Sequence, residues 1–175
     1  MNRSVLGYRA LFLGISALLL FLNILPLGPP SRNLPAPDLL LCLTLCWTLR
    51  RPDYVPLGLI AVVFFAADVL MMRPLGLWTF IVVVATEILR RQVQQREALS
   101  VMAESLQIAG VLAAAFLAER VVLTLLLAER PDLLGHLGHF LMTAIFYPAI
   151  VVISQLLLGV RRLQPGELDT LGSRV

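Results

Sequence analysis

Four ionisable side chains lie inside long apolar stretches of this sequence, where a charge needs a specific reason. They are Asp68, Glu87, Glu119 and Arg120. A charged side chain at the centre of a membrane helix costs about 2.5–3.5 kcal/mol on the insertion scale. Such groups pair with one another, line a polar path or carry protons and ions. These four residues are therefore the first candidates for a functional role.

Two of the four fall at the same depth along their predicted helices. Asp68 lies about 7 Å from the middle of its helix, and Arg120 lies about 6 Å from the middle of a helix that runs in the same direction. We therefore predict an ion pair between Asp68 and Arg120 that fixes the packing of two helices. Glu119 would then face elsewhere, toward a partner helix or toward Tyr147.

Glu87 has a simpler explanation. It precedes Arg90 by three residues and Arg91 by four, close to the end of an apolar stretch. Side chains three and four residues apart are neighbours on one helix face. This spacing predicts a surface ion pair within a single helix.

The cysteines and histidines do not form a metal-binding pattern. Cys42 and Cys46 share one helix face, but their apolar stretch supplies no further ligand, so we expect buried thiols. His136 and His139 lie at the start of the last apolar stretch, where we expect polar groups at the membrane interface. The sequence has no catalytic triad pattern, no HExxH motif and no phosphate-binding glycine loop. It therefore predicts a protein without enzymatic activity, metal or cofactor.

The composition assigns the chain to the membrane. Of 175 residues, 59% are hydrophobic and 14% are charged. Soluble domains carry about 25% charged residues, and a chain of this size cannot bury so much apolar surface away from water. Disorder requires the opposite composition. The remaining class is an integral membrane protein with all-α structure.

Proline, glycine and charged clusters divide the sequence into six apolar segments. We predict helices over residues 8–25, 34–49, 55–72, 77–89, 105–127 and 137–160. The second segment is short, about 24 Å at 1.5 Å per residue, and a re-entrant segment is the alternative to a sixth span. Residues 1–162 would form one transmembrane domain, followed by a flexible cytoplasmic tail over 163–175.

The arginines predict the orientation of the helices. All 14 basic residues are arginine. With the N-terminus inside, ten lie in inner segments, three in outer segments, and Arg120 lies within a helix. The excess on one side follows the positive-inside rule and places both termini in the cytoplasm. It also accounts for the net charge of +3 through contact with anionic lipid, without nucleic acid.

One set of residues resembles a known family. Several occur in the stretch from the second to the fourth segment: Pro37, Trp47, Arg50, Arg51, Pro52, Asp68, Pro74, Leu75 and Gly76. The following helix ends in Arg90 and Arg91. In this order they resemble the rod shape-determining protein MreD family, small inner-membrane proteins of similar length.

The resemblance implies a scaffold role in bacterial cell elongation. Members of that family are understood to bind MreC, and to help couple MreB filaments to a RodA-type glycosyltransferase and a class B transpeptidase. It also implies a bundle like the substrate-binding subunits of vitamin transporters, and such a carrier is the alternative function.

The fifth segment is rich in small residues, namely Ala109, Gly110, Ala113, Ala114 and Ala118. Such a surface suits either a partner helix or contacts inside the bundle.

Overall fold

The structure is all-helical over the residues that it describes, as the composition predicts. This computed structural model describes residues 3–25, 36–93, 101–126 and 132–156. Six α-helices occur there: α1 Arg3–Ile24, α2 Leu39–Arg50, α3 Leu57–Leu70, α4 Leu77–Val93, α5 Val101–Leu125 and α6 Leu133–Leu156. A short 3₁₀ turn, Pro52–Tyr54, joins α2 to α3. The predicted cytoplasmic tail over residues 163–175 lies outside the described residues.

α2 begins later than the predicted start at residue 34. Residues 36–38 are not helical, and the helix starts at Leu39 with Asp38 as its N-cap. The Leu41 backbone N–H donates to Asp38 Oδ1 at 2.9 Å. An aspartate at this position satisfies a backbone donor that the first helical turn leaves without a partner. α2 is therefore a 12-residue helix of about 18 Å.

α2 lies at the centre of the bundle and touches α1, α4 and α6. The outer helices follow one another around it, because α3 packs on α1 and α4, and α5 packs on α4 and α6. Every residue from Leu40 to Arg50 is buried. The shortest helix is thus enclosed by protein along almost its whole length.

Side-chain contacts show that successive helices alternate in direction. At one end, which we call the Arg50 end, Arg9 of α1 donates to the Asp53 carbonyl at 3.0 Å, and Arg90 of α4 donates to the Val55 carbonyl at 2.6 Å. At the other end, which we call the Asp38 end, the Asp38 N–H donates to Thr143 Oγ1 of α6 at 3.0 Å. The start of α1 and the end of α6 therefore lie at the same end of the bundle.

Aromatic side chains join α1 to the central helix at the Arg50 end. The rings of Tyr8 and Tyr54 stack with centroids 4.3 Å apart. Trp47 is fully buried and meets both tyrosines edge-on, and it packs against Phe12 at 5.6 Å. Buried aromatic pairs in these geometries contribute about 0.5–1.5 kcal/mol beyond the area that they bury.

Among the described residues, three helices are long and apolar enough to cross a membrane: Val5–Ile24, Met102–Leu125 and Leu133–Leu156. The helices α2 and α3 are apolar but shorter. Pro148 lies inside α6, and the helix continues on both sides of it.

Candidate functional site

A buried ionic cluster connects α2, α5 and α6 at the Arg50 end. Arg50 is the last residue of α2, and its Nη2 lies 3.3 Å and 3.2 Å from the two carboxylate oxygens of Glu104 in α5. The Tyr147 hydroxyl of α6 donates to Glu104 Oε1 at 2.9 Å. The side chains of Arg50 and Glu104 are 3% and 2% exposed. A charge pair at this depth is held by hydrogen bonds that replace those lost to water.

Gln155 of α6 completes the cluster. With its side-chain amide oxygen directed at Arg50, that oxygen accepts from Nη1 at 2.5 Å and from Nη2 at 3.2 Å. This orientation is assigned from the hydrogen-bond network, because the opposite one would bring amide donors against guanidinium donors. We call Arg50, Glu104, Tyr147 and Gln155 the Arg50 cluster. It ties the end of the central helix to both helices of the α5–α6 hairpin.

Two polar atoms beside the Arg50 cluster are buried without a hydrogen bond among the described residues. They are Arg50 Nε and Ser154 Oγ. Cys46 lies one helical turn before Arg50, is fully buried and is not in a disulfide. Cys42 is also buried and donates to the Thr143 carbonyl at 3.3 Å. Both thiols are enclosed, as the sequence predicts.

Asp68 is fully buried and organises the turn between α3 and α4. Its Oδ2 accepts from the backbone N–H groups of Gly76 and Thr79, each at 3.1 Å, and from the Thr79 hydroxyl at 2.8 Å. These donors lie at the start of α4, where a carboxylate is favoured by the helix dipole and by unpaired N–H groups. Asp68 therefore caps the next helix in the chain.

The predicted ion pair between Asp68 and Arg120 is wrong. Asp68 Oδ2 accepts hydrogen bonds from the first turn of α4. Asp68 Oδ1 has no hydrogen-bond partner within the part of the chain that the structure describes. The Asp68 carboxylate instead faces the start of α4. Arg120 is half-buried on α5.

The idea that Glu119 reaches Tyr147 is also wrong, because the Tyr147 hydroxyl is bound to Glu104. Glu119 is half-buried and lies close enough to Arg73 to interact with it electrostatically.

Glu87 forms the surface ion pair that its spacing predicts. Arg91 Nε lies 2.8 Å from Glu87 Oε1, four residues apart along α4. The neighbouring Arg90 turns inward and binds the Val55 carbonyl. Exposed pairs of this kind contribute about 0.3–0.5 kcal/mol, so Glu87 needs no functional explanation.

The residues that carry the family resemblance occupy structural positions. Pro37 precedes the α2 N-cap, Pro52 starts the 3₁₀ turn, and the Arg51 guanidinium lies 5.8 Å from the Tyr54 ring centroid. In the turn before α4, Pro74 and the exposed Leu75 precede Gly76. Gly76 has a φ of +79°, a conformation in which a residue with a side chain would be strained.

The small residues of α5 face outward. Gly110, Ala113, Ala114 and Ala118 are exposed, and Ala109 is half-buried. A Cβ atom added to Gly110 would meet nothing within 4 Å. This stripe is therefore open on the outside of the bundle and is not used for its internal contacts.

The two histidines bind backbone carbonyls at the Asp38 end. His136 Nε2 lies 3.2 Å from the Phe116 carbonyl, and His139 Nδ1 contacts the Ala36 carbonyl. Within residues 3–25, 36–93, 101–126 and 132–156, no three His, Cys, Asp or Glu side chains come together as a metal site.

Sequence reasoning missed Glu104 and Gln155 as partners of Arg50, and Tyr147 as a partner of Glu104. The predicted fifth helix begins at residue 105, which leaves Glu104 outside the intramembrane charges that the sequence predicts. The available signal was that Glu104 and Arg50 carry opposite charges and fall at the same end of their helices.

Comparison with known proteins gives no assignment. The chain matches no family model, no curated protein and no solved structure.

Proposed function

We propose that this chain is a non-enzymatic, multi-pass scaffold of the bacterial inner membrane, of the MreD type. In this proposal all six helices cross the membrane and both termini face the cytoplasm. The alternating helix directions support six passes, and Arg9, Arg50, Arg51, Arg90 and Arg91 lie at the end that would be cytoplasmic.

The observation that carries the scaffold role is the position of α2. In a carrier subunit, a ligand would occupy the space between helices. Here a helix with 11 consecutive buried residues occupies the centre. Arg50, its last residue, binds Glu104, and Glu104 also accepts from the Tyr147 hydroxyl, so these two charges do not point into open space.

The resemblance residues support the same assignment. Trp47, Arg50, Asp68 and Gly76 each hold a feature that the fold needs: the aromatic cluster, the buried ion pair, the α4 cap and a left-handed turn. A pattern that specifies a bundle without a reactive group is what a scaffold requires.

The proposed direct partner is MreC, through its membrane helix, with MreB, the RodA-type glycosyltransferase and the class B transpeptidase reached directly or through MreC. The outward small-residue stripe on α5 supports this contact. Gly110, Ala114 and Ala118 are spaced by four residues, and this spacing allows two helix backbones to approach closely in lipid.

Co-purification from membranes tests the proposal. Tagged protein extracted in mild detergent is expected to retain MreC, and Gly110→Leu is expected to reduce that yield severalfold. Gly14→Leu in α1 is the matched control, because a Cβ at Gly14 also meets nothing within 4 Å. Equal loss in both variants, or no MreC with the native chain, would contradict the scaffold role.

The alternative, a carrier of a small vitamin-type molecule, has a direct readout in the same preparation. Native mass spectrometry of the purified protein would show a stoichiometric small ligand. Detection of such a ligand together with normal cell shape after gene deletion would favour the carrier over the scaffold.

A further inference from the structure

Two arginines from neighbouring helices hold the connection between α2 and α3. Arg9 of α1 donates from Nε and Nη2 to the Asp53 carbonyl at 3.2 Å and 3.0 Å. Arg90 of α4 donates from Nη2 to the Val55 carbonyl at 2.6 Å. The two carbonyls belong to residues two positions apart, which is about 7 Å of extended chain at most. Because α3 packs on both α1 and α4, the two guanidinium groups lie close together beside the start of α3.

Both guanidinium groups keep donors for a ligand. A guanidinium has five N–H donors, and the carbonyl bonds occupy only Nε and Nη2 of Arg9 and Nη2 of Arg90. Arg90 Nε is buried without a hydrogen-bond partner in the part of the chain that the structure describes. A guanidinium that is already held in place loses little conformational freedom when it binds a phosphate, to which it can donate two parallel hydrogen bonds.

The first turn of α3 supports an anion at the same place. Its N-cap is Pro56, and no side chain caps the helix among the described residues. Gly58 is exposed, and a Cβ atom added there would meet nothing within 4 Å. Helix dipole and unpaired N–H groups favour negative charge at such a helix start. The backbone beside the two arginines is therefore open to an anionic group.

The charges around this connection leave an excess of positive charge. Arg51 adds a third arginine, with its guanidinium 5.8 Å from the centroid of the Tyr54 ring. Asp53 is exposed and lies close enough to Arg90 to interact with it electrostatically. We call Arg9, Arg51, Arg90 and the first turn of α3 the arginine patch. With Asp53 included, the patch carries two more positive than negative side chains, which matches a ligand with two negative charges.

An apolar stripe continues from the arginine patch along the outside of α3. It consists of Val62, Phe65 and Val69, whose side chains are at least half exposed. They follow the exposed Gly58 at intervals of four, three and four residues, so all lie on one face of the helix. The surface is thus charged at the Arg50 end and apolar beyond it. A phospholipid has the same polarity, whereas a soluble anion or an acidic peptide would use only the charged part.

We propose that the arginine patch binds the head group of one phospholipid with two phosphates, of the cardiolipin class, and that an acyl chain lies along the apolar stripe. Basic pockets between membrane helices on the cytoplasmic side suit such head groups. This assignment goes beyond a general attraction of arginines to an anionic membrane, because it gives one lipid one site. It rests on the membrane placement proposed above, in which the Arg50 end faces the cytoplasm.

Native mass spectrometry of the full chain in detergent, titrated with cardiolipin, tests this assignment. We expect one cardiolipin per chain, bound at least about tenfold more tightly than phosphatidylcholine with the same acyl chains. The deacylated head group of cardiolipin should bind far more weakly, because it cannot contact the apolar stripe. Equal binding of this head group would overturn the lipid assignment in favour of a soluble anion. Displacement of cardiolipin by an equal concentration of poly-glutamate would overturn it in favour of an acidic protein partner.

Charge substitutions test the location of the site. Arg9→Gln should weaken cardiolipin binding about fivefold, the effect of one basic residue near anionic lipid. Asp53→Asn should tighten binding by a similar factor, and it leaves both carbonyl contacts in place, so a loss of folding cannot produce this result. Arg91→Gln is the matched control, because Arg91 lies next to Arg90 but pairs with Glu87 outside the patch. Equal weakening by Arg9→Gln and Arg91→Gln, or no tightening by Asp53→Asn, would overturn the site.

Co-purification of MreC with the same preparations distinguishes the failure of this inference from that of the proposed function. If cardiolipin binds the native chain no better than phosphatidylcholine while MreC co-purifies, the lipid site is wrong and the scaffold role stands. If cardiolipin binding and its response to the substitutions are as expected while MreC is absent, the scaffold role is wrong and the lipid site stands.

Discussion

The guanidinium of Arg50 and the carboxylate of Glu104 lie 3.2 Å apart in the interior of the bundle, although 54 residues separate them in the sequence. Arg50 is the last residue of the central helix, and Glu104 lies in the first turn of α5. The contact therefore fixes the position of the first turn of α5 against the end of the central helix. Both side chains are almost fully buried. If one of them is removed, water cannot take its place as the hydrogen-bond partner of the other.

Removal of either partner is expected to destabilise the protein strongly. Arg50→Ala or Glu104→Ala leaves an uncompensated buried charge, which costs about 3–5 kcal/mol. Thermal unfolding in detergent measures this loss. Arg91→Ala is the matched control, because it removes an exposed arginine from an ion pair worth about 0.3–0.5 kcal/mol. Equal stability of the Glu104 and Arg91 variants would show that the interior pair is not formed.

The Tyr147 hydroxyl should contribute separately to the same cluster. Tyr147→Phe keeps the buried ring and removes only the hydrogen bond to Glu104 Oε1, so we expect a loss of about 1.5–3 kcal/mol, the range for bonds to charged groups. The informative measurement is a double-mutant cycle with Glu104→Gln. Additive losses would mean that the hydroxyl and the carboxylate do not interact.

The sequence predicts on which helix a charged residue lies, but it does not predict which neighbouring helix the side chain faces. Asp68 lies on the predicted third helix and Arg120 on the predicted fifth, but Asp68 is in the last turn of α3 and faces the first turn of α4. Successive residues point about 100° apart, so an error of one residue in phase directs a side chain to another neighbour. The cap was detectable in principle, because Asp68 precedes a Pro-Leu-Gly turn and a helix start.

Arg50 and Arg51 show the same limit at adjacent positions. The positive-inside rule treats both as charges that set the orientation of the helices. In the structure Arg50 is buried against Glu104, whereas Arg51 lies over the ring of Tyr54. Composition and spacing predicted the features that depend on neighbours in sequence, such as the Glu87–Arg91 pair and the turn at Gly76. Partners that lie far away in sequence depended on packing that the sequence does not reveal.

The two cysteines provide a built-in probe of unfolding. Cys42 and Cys46 are fully buried and not disulfide-bonded, so a maleimide added to intact membranes is expected to leave both unmodified. Denaturant or the Glu104→Ala change should expose them together. An exposed control thiol at Leu75→Cys, in the turn before α4, tests whether the reagent reaches the protein. Rapid labelling of Cys42 or Cys46 in the native protein would contradict the enclosed position of α2.

Reversal of charge at position 68 is expected to fail whatever stands at position 120. Asp68→Arg removes the acceptor of three hydrogen bonds at the start of α4 and buries a cation there, so the protein should lose most of its stability. Because Asp68 faces Gly76 and Thr79, adding Arg120→Asp should not restore the lost stability.

Asp68→Asn keeps one side-chain oxygen as acceptor, and we expect this change to cost only about 1–2 kcal/mol, as for the loss of a helix cap. Thermal unfolding of the three variants, compared with Thr79→Val, measures these effects, and rescue by the double reversal would show that the two side chains meet after all.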